Sequence, residues 1–226
     1  MLTETCKALL AERFSFWGHL SEEERALLCA NTAPAHYAKG ENIHSGAEDC
    51  VGLMLVRSGQ IRVGLLSETG RDVTLYRLFP GDVCVLSASC VLDAITFEVF
   101  IDAEEDTELL VTNSAAFHTL EDRNIYVRCF GYEVASKRFS EVMWAMQQIL
   151  FMGIDRRLAI FLTEEMKKTG GDTVHLTHEQ IARYMGSARE VVSRMLKYFE
   201  GEGIVKLARG GIQIIDRTKL KALAET

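Results

Sequence analysis

The chain has 226 residues, 48% of them hydrophobic, enough to bury the cores of one or two domains without disulfide support. It contains no apolar run of 18 residues and no signal-peptide pattern near Met1, so we expect a cytoplasmic protein whose six cysteines are thiols. Residues 1–150 hold 12 basic and 22 acidic side chains while residues 151–226 hold 13 and 10, a distribution that excludes a broad basic surface for indiscriminate polyanion binding.

Glycines divide the first half of the chain into short runs of strand character at residues 51–56, 60–66 and 73–78. These glycines are Gly40, Gly46, Gly59, Gly70 and Gly81. The near-regular spacing predicts an antiparallel roll or sandwich. The pieces YAKGENIHSGAE, LVRSGQIRVGL and LFPGDV resemble successive turns of a cyclic-nucleotide-binding-type β-roll over about residues 14–118. We therefore predict an α+β fold whose residues 1–118 form a β-roll sensor domain with N-terminal helices.

The part of the roll that would hold a nucleotide departs from that resemblance. In cyclic-nucleotide binders, a Gly-Glu pair is followed by an arginine whose guanidinium grips the cyclic phosphate bidentately. No Gly-Glu follows Gly81 here, and Phe97, followed by Glu98, stands at the position that matches the arginine. An aromatic and an acidic side chain disfavour an anionic ligand, so we expect no binding of cyclic AMP.

Two cysteines, Cys84 and Cys90, occupy this altered segment. Their separation by six residues places both on the same face if the segment is extended. Our default interpretation is that both are buried small hydrophobic residues. The alternative is a redox, nitrosative or metal-bearing sensor, together with Cys50 or Cys129.

Residues 124–152 contain no proline, and their apolar positions alternate at spacings of four and three when Ser136 is included. These apolar positions are Ile125, Cys129, Tyr132, Phe139, Met143, Met146 and Leu150. Such a heptad pattern, here called the seam, is typical of two helices that supercoil. We predict that residues 119–152 form a dimerisation helix; the alternative is an amphipathic helix packed on its own roll. Gly153 is a predicted hinge, and Asp155 a predicted N-cap.

Residues 176–201, LTHEQIARYMGSAREVVSRMLKYFEG, carry the signals of two helices joined by a turn. Thr177 and Gln180 have the spacing of a capping box, which predicts a first helix from His178 to a break at Gly186. Ser187 and Glu190 repeat that spacing and predict a second capping box.

The second helix has an apolar side and a polar side. Apolar residues recur at three- and four-residue intervals at Val191, Val192, Met195, Leu196 and Phe199. Beyond it, residues 204–207 and 212–215 flank a turn and predict a β-hairpin. Residues 153–226 therefore form a predicted winged helix-turn-helix, a module that places its second helix in the major groove. The candidate DNA-binding residues are Thr177, Arg189, Glu190, Ser193, Arg194 and Lys197.

The stretch GSAREVVSRMLKYFEGEGIV closely resembles the recognition-helix signature of the CRP/FNR family, which includes the cyclic-AMP receptor protein and the fumarate-nitrate regulator. The resemblance implies a homodimeric transcription regulator that binds double-stranded DNA with a dyadic site, and RNA polymerase if it is an activator. It implies that Arg189, Glu190 and Arg194 contact bases or phosphate. The pattern Glu190-x-x-Ser193-Arg194 is similar to regulators of TTGAT-like half-sites, while Arg189 also fits TGTGA-like half-sites.

The same resemblance bears on the effector. Val142 and Met143 match positions where the cyclic-AMP receptor offers hydroxyl groups to adenine, and neither can donate such a hydrogen bond. Relatives sense through thiols, haem or an iron–sulfur cluster, so these three remain open here. A copy of the N-terminal cluster site is not expected, because only Cys6 and Cys29 lie early. Candidate haem ligands are His36, His44 and Met54.

Two other classes of protein compete with a regulator. A cupin-like roll could hold a catalytic metal, but the six histidines are scattered without a His-x-His pair, so we predict neither an enzyme nor a metal site. A protein–protein adaptor could use the long helix, but this function leaves the polar residues from Arg189 to Arg194 unexplained.

Overall fold

The computed structural model describes residues 2–45, 51–66, 72–85 and 99–225. The chain divides into two compact units, one of Met1–Leu66 with Leu75–Val142 and one of Ser67–Thr74 with Met143–Thr226. Helices and antiparallel sheets occupy separate stretches of the chain, so the predicted α+β class is confirmed. Among the described residues, no helix is both long and apolar enough to cross a lipid bilayer.

The first unit opens with helices α1 (Glu4–Arg13) and α2 (Glu22–Ala30), separated by a short 3-10 turn at Trp17–His19. Eight described strands follow: β1 (Thr32–Tyr37), β2 (Asn42–Ser45), β3 (Leu53–Ser58), β4 (Ile61–Leu66), β5 (Asp72–Leu78), β6 (Val83–Cys84), β7 (Phe100–Ala103) and β8 (Thr107–Thr112). They form two four-stranded sheets with the orders β1-β8-β3-β6 and β2-β7-β4-β5. This arrangement confirms the predicted antiparallel roll.

Strand β3 is buried on both faces. Leu53 and Leu55 pack into a core with the helices, while Met54 and Val56 pack between the two sheets, as the two-residue period of a strand requires. The strand begins two residues later than residues 51–56 suggested because Gly52 has a φ of 101°. A Cβ atom there would lie 2.1 Å from the carbonyl oxygen of Thr112, so only glycine fits this approach.

Two helices follow the roll, α3 (Ser114–Arg123) and the long α4 (Ile125–Phe151). Helix α4 lies within one residue of the seam stretch 124–152 at each end, whereas residues 119–123 of the predicted dimerisation helix belong to α3. Its inner side buries Val127 and Phe130 in the core that contains Phe14 and Phe16. The helix is therefore already anchored to its own roll by these residues.

Arg138 extends this inner side of α4 and is only 4% exposed. Its Nη1 donates to Glu141 Oε2 at 2.7 Å, its Nη2 donates to the carbonyl oxygen of Val83 at 3.1 Å, and its guanidinium lies 5.2 Å from the centre of the Tyr76 ring. A buried charge is tolerated when it is paired and hydrogen-bonded in this way. Arg138 thus ties α4 to strand β6 of the roll.

The second unit contains the helices α5 (Ile154–Thr169), α6 (His178–Met185), α7 (Arg189–Gly201) and α8 (Arg217–Glu225). The short strands β9 (Thr173–Val174), β10 (Val205–Ala208) and β11 (Gly211–Ile214) form one antiparallel sheet in the order β10-β11-β9. Its core is formed by the apolar sides of these elements, including Leu158, Leu162, Ile181, Leu196, Phe199 and Ile212.

The predicted N-cap of α5 is wrong. Gly153, not Asp155, is the N-cap, and the helix begins at Ile154. Only Met152 and Gly153 separate α4 from α5, so the new helix starts before Asp155 can cap it. Asp155 instead lies in the first turn, where a carboxylate interacts favourably with the helix dipole.

Candidate nucleic-acid interface

Helix α6 begins as its capping residues predicted. Thr177 Oγ1 accepts from the backbone N–H of Gln180 at 3.1 Å, and Gln180 Oε1 accepts from the N–H of Thr177 at 2.9 Å, so the capping box is confirmed. The helix ends at Gly186, whose φ of 59° lies in the left-handed region that favours glycine. The capping box and Gly186, which predicted the two ends of this helix, thus act through local hydrogen bonds and backbone geometry.

The predicted second capping box is wrong. Helix α7 has Ala188 as its N-cap, with no capping hydrogen bond from a side chain. Ser187 belongs instead to the end of α6, because its N–H donates to the carbonyl oxygen of Ala182 at 2.9 Å. Such a backbone bond closes a left-handed helix terminus and moves the start of the next helix one residue along the chain.

Helix α7 buries Val192, Leu196 and Phe199 on one side and exposes most of its polar residues on the other. Four-residue spacing arranges these polar residues in two adjacent rows. The first row is Arg189, Ser193 and Lys197, and the second row is Glu190 and Arg194. All are exposed except Ser193, which is half-buried. Five of the six candidate DNA-binding residues therefore share one side of one helix.

Half-buried Ser193 has a partner that the sequence did not reveal. The Nδ1 atom of His178, the first residue of α6, lies 2.9 Å from Ser193 Oγ. The pKa of His178 is lowered, first by burial and then by the positive charges of Arg189 and Lys197. This shift favours the neutral form of the imidazole at pH 7.

Thr177, the sixth candidate, lies at the N-terminus of α6, outside the two rows. Its side chain is committed to the capping box, and the residue is exposed at a helix end whose free N–H groups attract anions. In this position a DNA phosphate can contact the backbone N–H groups that follow Thr177. Such a contact positions the protein on DNA but does not distinguish one base from another.

The predicted wing is confirmed within one residue at each end. Strands β10 and β11 pair from Val205 with Ile214 to Ala208 with Gly211, which leaves the two-residue turn Arg209–Gly210. The additional strand β9 pairs with β11 and was missed, because two residues carry no detectable period. Glu200 of α7 accepts from the N–H of Leu207 at 2.9 Å and so fixes the wing to the second helix.

Of the candidate effector cysteines, the structure describes Cys84 in the roll and Cys129, which is exposed on α4. Cys84 is fully buried at the end of β6, beside Tyr76, whose pKa is raised by burial and then by the nearby thiol. Cys50, Cys90, Phe97 and Glu98 lie outside the described residues. Burial of Cys84 fits our default interpretation of a core residue.

The proposed haem ligands occupy different sheets. His36 is exposed on β1, and Met54 is buried on β3 of the same sheet, whereas His44 is buried on β2 of the other. In the described part of the chain, no three His, Cys, Asp or Glu residues lie close enough to hold a metal ion. These positions consequently give no support to a shared haem site.

All seven apolar residues of the seam are exposed on α4. Tyr132, Phe139 and Leu150 are 64%, 66% and 64% exposed. This outer side is distinct from the side of α4 that buries Val127 and Phe130 against the roll. The long helix thus has two apolar sides, one of them uncovered within a single chain.

Two family descriptions match the two parts of the chain. The cyclic nucleotide-binding domain matches residues 34–124, and the Crp-like helix-turn-helix domain matches residues 156–223. A solved CRP/FNR-family regulator from Eubacterium rectale is 43% identical, covers 95% of this chain and 100% of its own, and superposes with a TM-score of 0.89. The chain belongs to the CRP/FNR family. This member is therefore a transcription regulator with a DNA-binding helix-turn-helix, and it is not an enzyme.

More distant members of the family span nearly the same length. The cyclic AMP receptor protein of Thermus thermophilus is 26% identical over 91% of this chain and 94% of its own. The nitrogen fixation regulation protein FixK of Bradyrhizobium diazoefficiens is 25% identical over 84% of this chain and 81% of its own. The sequence similarity to these two relatives thus extends over both domains of this chain.

Proposed function

We propose that this CRP/FNR regulator binds a dyadic DNA site as a homodimer formed along the seam of α4. The observation that carries this proposal is the second apolar side of the helix. If α4 were only an amphipathic helix on its own roll, its outer side would be polar, yet Tyr132, Phe139 and Leu150 are largely exposed. A twofold pairing of identical seams covers these side chains and presents two recognition helices to two half-sites.

Within each half-site, we assign base contacts to the exposed charged residues of α7. An arginine, Arg189 or Arg194, can donate bidentately to O6 and N7 of guanine, and Glu190 can accept from N4 of cytosine. Lys197 lies two turns into the helix and suits a phosphate contact, as does the exposed N-terminus of α6 at Thr177. The half-sites expected from these residues are TTGAT-like or TGTGA-like.

The roll is the proposed effector domain. Cyclic AMP is not the proposed effector, because Phe97 replaces the phosphate-gripping arginine and Val142 and Met143 offer no hydroxyl group. A haem, an iron–sulfur cluster or thiols remain the candidate sensors, with Cys84 and Cys90 as the candidate thiols. A regulator of this kind acts on the chromosome, so we place it in the cytoplasm, with RNA polymerase as a partner if it activates.

Binding to fluorescent duplexes with TTGAT, TGTGA or scrambled half-sites tests this function. Arg189→Ala should weaken binding to the preferred dyadic duplex by ~1 to 3 kcal/mol and relax the preference at one base position. The variant should remain a dimer in sedimentation experiments. Lys221→Ala on α8 removes the same charge away from α7 and serves as the matched control.

The outcomes separate the classes of protein. If the wild-type protein binds all three duplexes equally at physiological salt, the sequence-specific function is refuted. If Arg189→Ala and Lys221→Ala weaken binding equally, α7 is not the reading helix, and general charge explains the affinity.

A further inference from the structure

We propose that His178 is a positioning residue that holds the hydroxyl group of Ser193. It thereby determines which base of the half-site can form a hydrogen bond with that hydroxyl. This inference rests on the proposed DNA-binding function and deepens it. It adds a residue of α6 to the specificity of α7.

The geometry brings two residues together that are 15 positions apart in the chain. His178 Nδ1 and Ser193 Oγ are 2.9 Å apart, and both side chains are half-buried. Ser193 is the middle residue of the first polar row, between Arg189 and Lys197. The imidazole therefore lies beside the polar row that we assign to DNA contacts.

A serine hydroxyl can both donate and accept, so a serine that rotates freely accommodates either a donor or an acceptor on a base edge. A neutral imidazole has one donor nitrogen and one acceptor nitrogen, and here Nδ1 takes up one of the hydrogen-bonding directions of Ser193. Burial, and then the cations Arg189 and Lys197, lower the pKa of His178, which favours the neutral imidazole at pH 7.5. Because His178 already occupies one hydrogen-bonding position of the Ser193 hydroxyl, fewer hydrogen-bonding roles remain for this hydroxyl at a base edge.

Helix capping does not account for this contact. The side-chain capping of α6 is supplied by the reciprocal hydrogen bonds of Thr177 and Gln180. The His178 side chain takes no part in this capping and contacts Ser193 of α7 instead. Its role is therefore at Ser193 and not at the helix end.

The test is a selection of bound half-sites from randomised dyadic duplexes at pH 7.5, with the full-length dimer and four variants: His178→Ala, His178→Asn, Ser193→Ala, and His178→Ala combined with Ser193→Ala. In His178→Asn the amide oxygen or nitrogen occupies nearly the place of Nδ1 and can restore the hydrogen bond. We expect His178→Ala to lower the preference at one base position roughly three- to tenfold, the scale of one hydrogen bond. Ser193→Ala should flatten the same position, and the double variant should do no more than Ser193→Ala alone.

Glu190→Ala is the matched control, since this residue belongs to the second row of α7. Its effect should fall on another base position and should add to that of His178→Ala. His178→Asn should keep the wild-type preference, which a merely structural role for the imidazole does not predict. Equal thermal midpoints of the variants will show that the fold is retained.

Several results would overturn the inference. An even loss of affinity at all positions in His178→Ala shows a phosphate or folding role, and additive effects of the two alanine substitutions show independent contacts. Failure of His178→Asn to restore the preference also contradicts it. If the wild-type protein selects no half-site at all, the proposed function fails instead, and this result is distinct from the others.

Discussion

Truncation of Phe139 provides the sharpest check of the dimer. This side chain lies in the middle of the seam and is 66% exposed in the single chain. Full burial of a phenylalanine contributes ~1.5 to 3 kcal/mol, so covering two-thirds of it contributes about 1 to 2 kcal/mol. Twofold symmetry doubles this to about 2 to 4 kcal/mol, so Phe139→Ala should raise the dimer dissociation constant roughly 30- to 700-fold.

Sedimentation equilibrium over a range of protein concentrations measures this constant directly. Trp144→Ala is the matched control, because Trp144 is another large aromatic residue of α4 and is 42% exposed. It is five residues from Phe139, which rotates it by roughly 140° around the helix axis and away from the seam. Far-UV circular dichroism should show unchanged helix content in both variants.

A change of less than about threefold for Phe139→Ala would refute the seam as the dimer interface, since that is far below the calculated effect. The same conclusion would follow if Trp144→Ala weakened the dimer as strongly. A dimer that persists under both substitutions must use another surface.

Three further outcomes follow from single residues. Burial raises the pKa of Glu121 to about 7 from 4.5. The folded state then holds the proton more tightly than the unfolded chain does, so the free energy of unfolding should fall as the pH rises from about 4.5 to 7. Glu121→Gln should remove this loss, on the order of 3 kcal/mol, in urea unfolding at pH 5 and pH 8; an unchanged pH profile would contradict the assignment. Thr177→Ala should destabilise the second unit by about 1 kcal/mol in thermal unfolding, whereas Thr177→Ser should not, and equal effects would rule out capping. Cyclic AMP should give no heat of binding in calorimetry, and a micromolar dissociation constant would refute the interpretation of Phe97.

The helix-turn-helix was predictable because its signals are local. Thr177, Gln180 and Gly186 act through hydrogen bonds and backbone angles within one turn, so their spacing already specifies the structure. The exposed seam of α4 was predictable for a similar reason, since a heptad pattern is a property of one helix. The antiparallel roll followed from strand-like runs between glycines.

Errors arose where neighbouring elements compete for the same residue. The backbone N–H of Ser187 closes α6, so the N-cap position of α7 falls on Ala188, while the short connection at Gly153 displaces the cap predicted at Asp155. The contact of His178 with Ser193 joins two helices and depends on their packing. No spacing rule within a single helix reports such a contact.

Arg138 has a consequence for how a signal can travel. Its guanidinium is held inside the roll at 3.1 Å from the carbonyl oxygen of Val83 and at 2.7 Å from Glu141. Sliding α4 by one residue moves it by ~1.5 Å and turns it by ~100°, which breaks the contact with Val83 and leaves a buried charge without that partner. A displacement of α4 along its axis is thus resisted at Arg138. Any signal that moves α4 in this way has to break the hydrogen bond between Arg138 and the carbonyl oxygen of Val83.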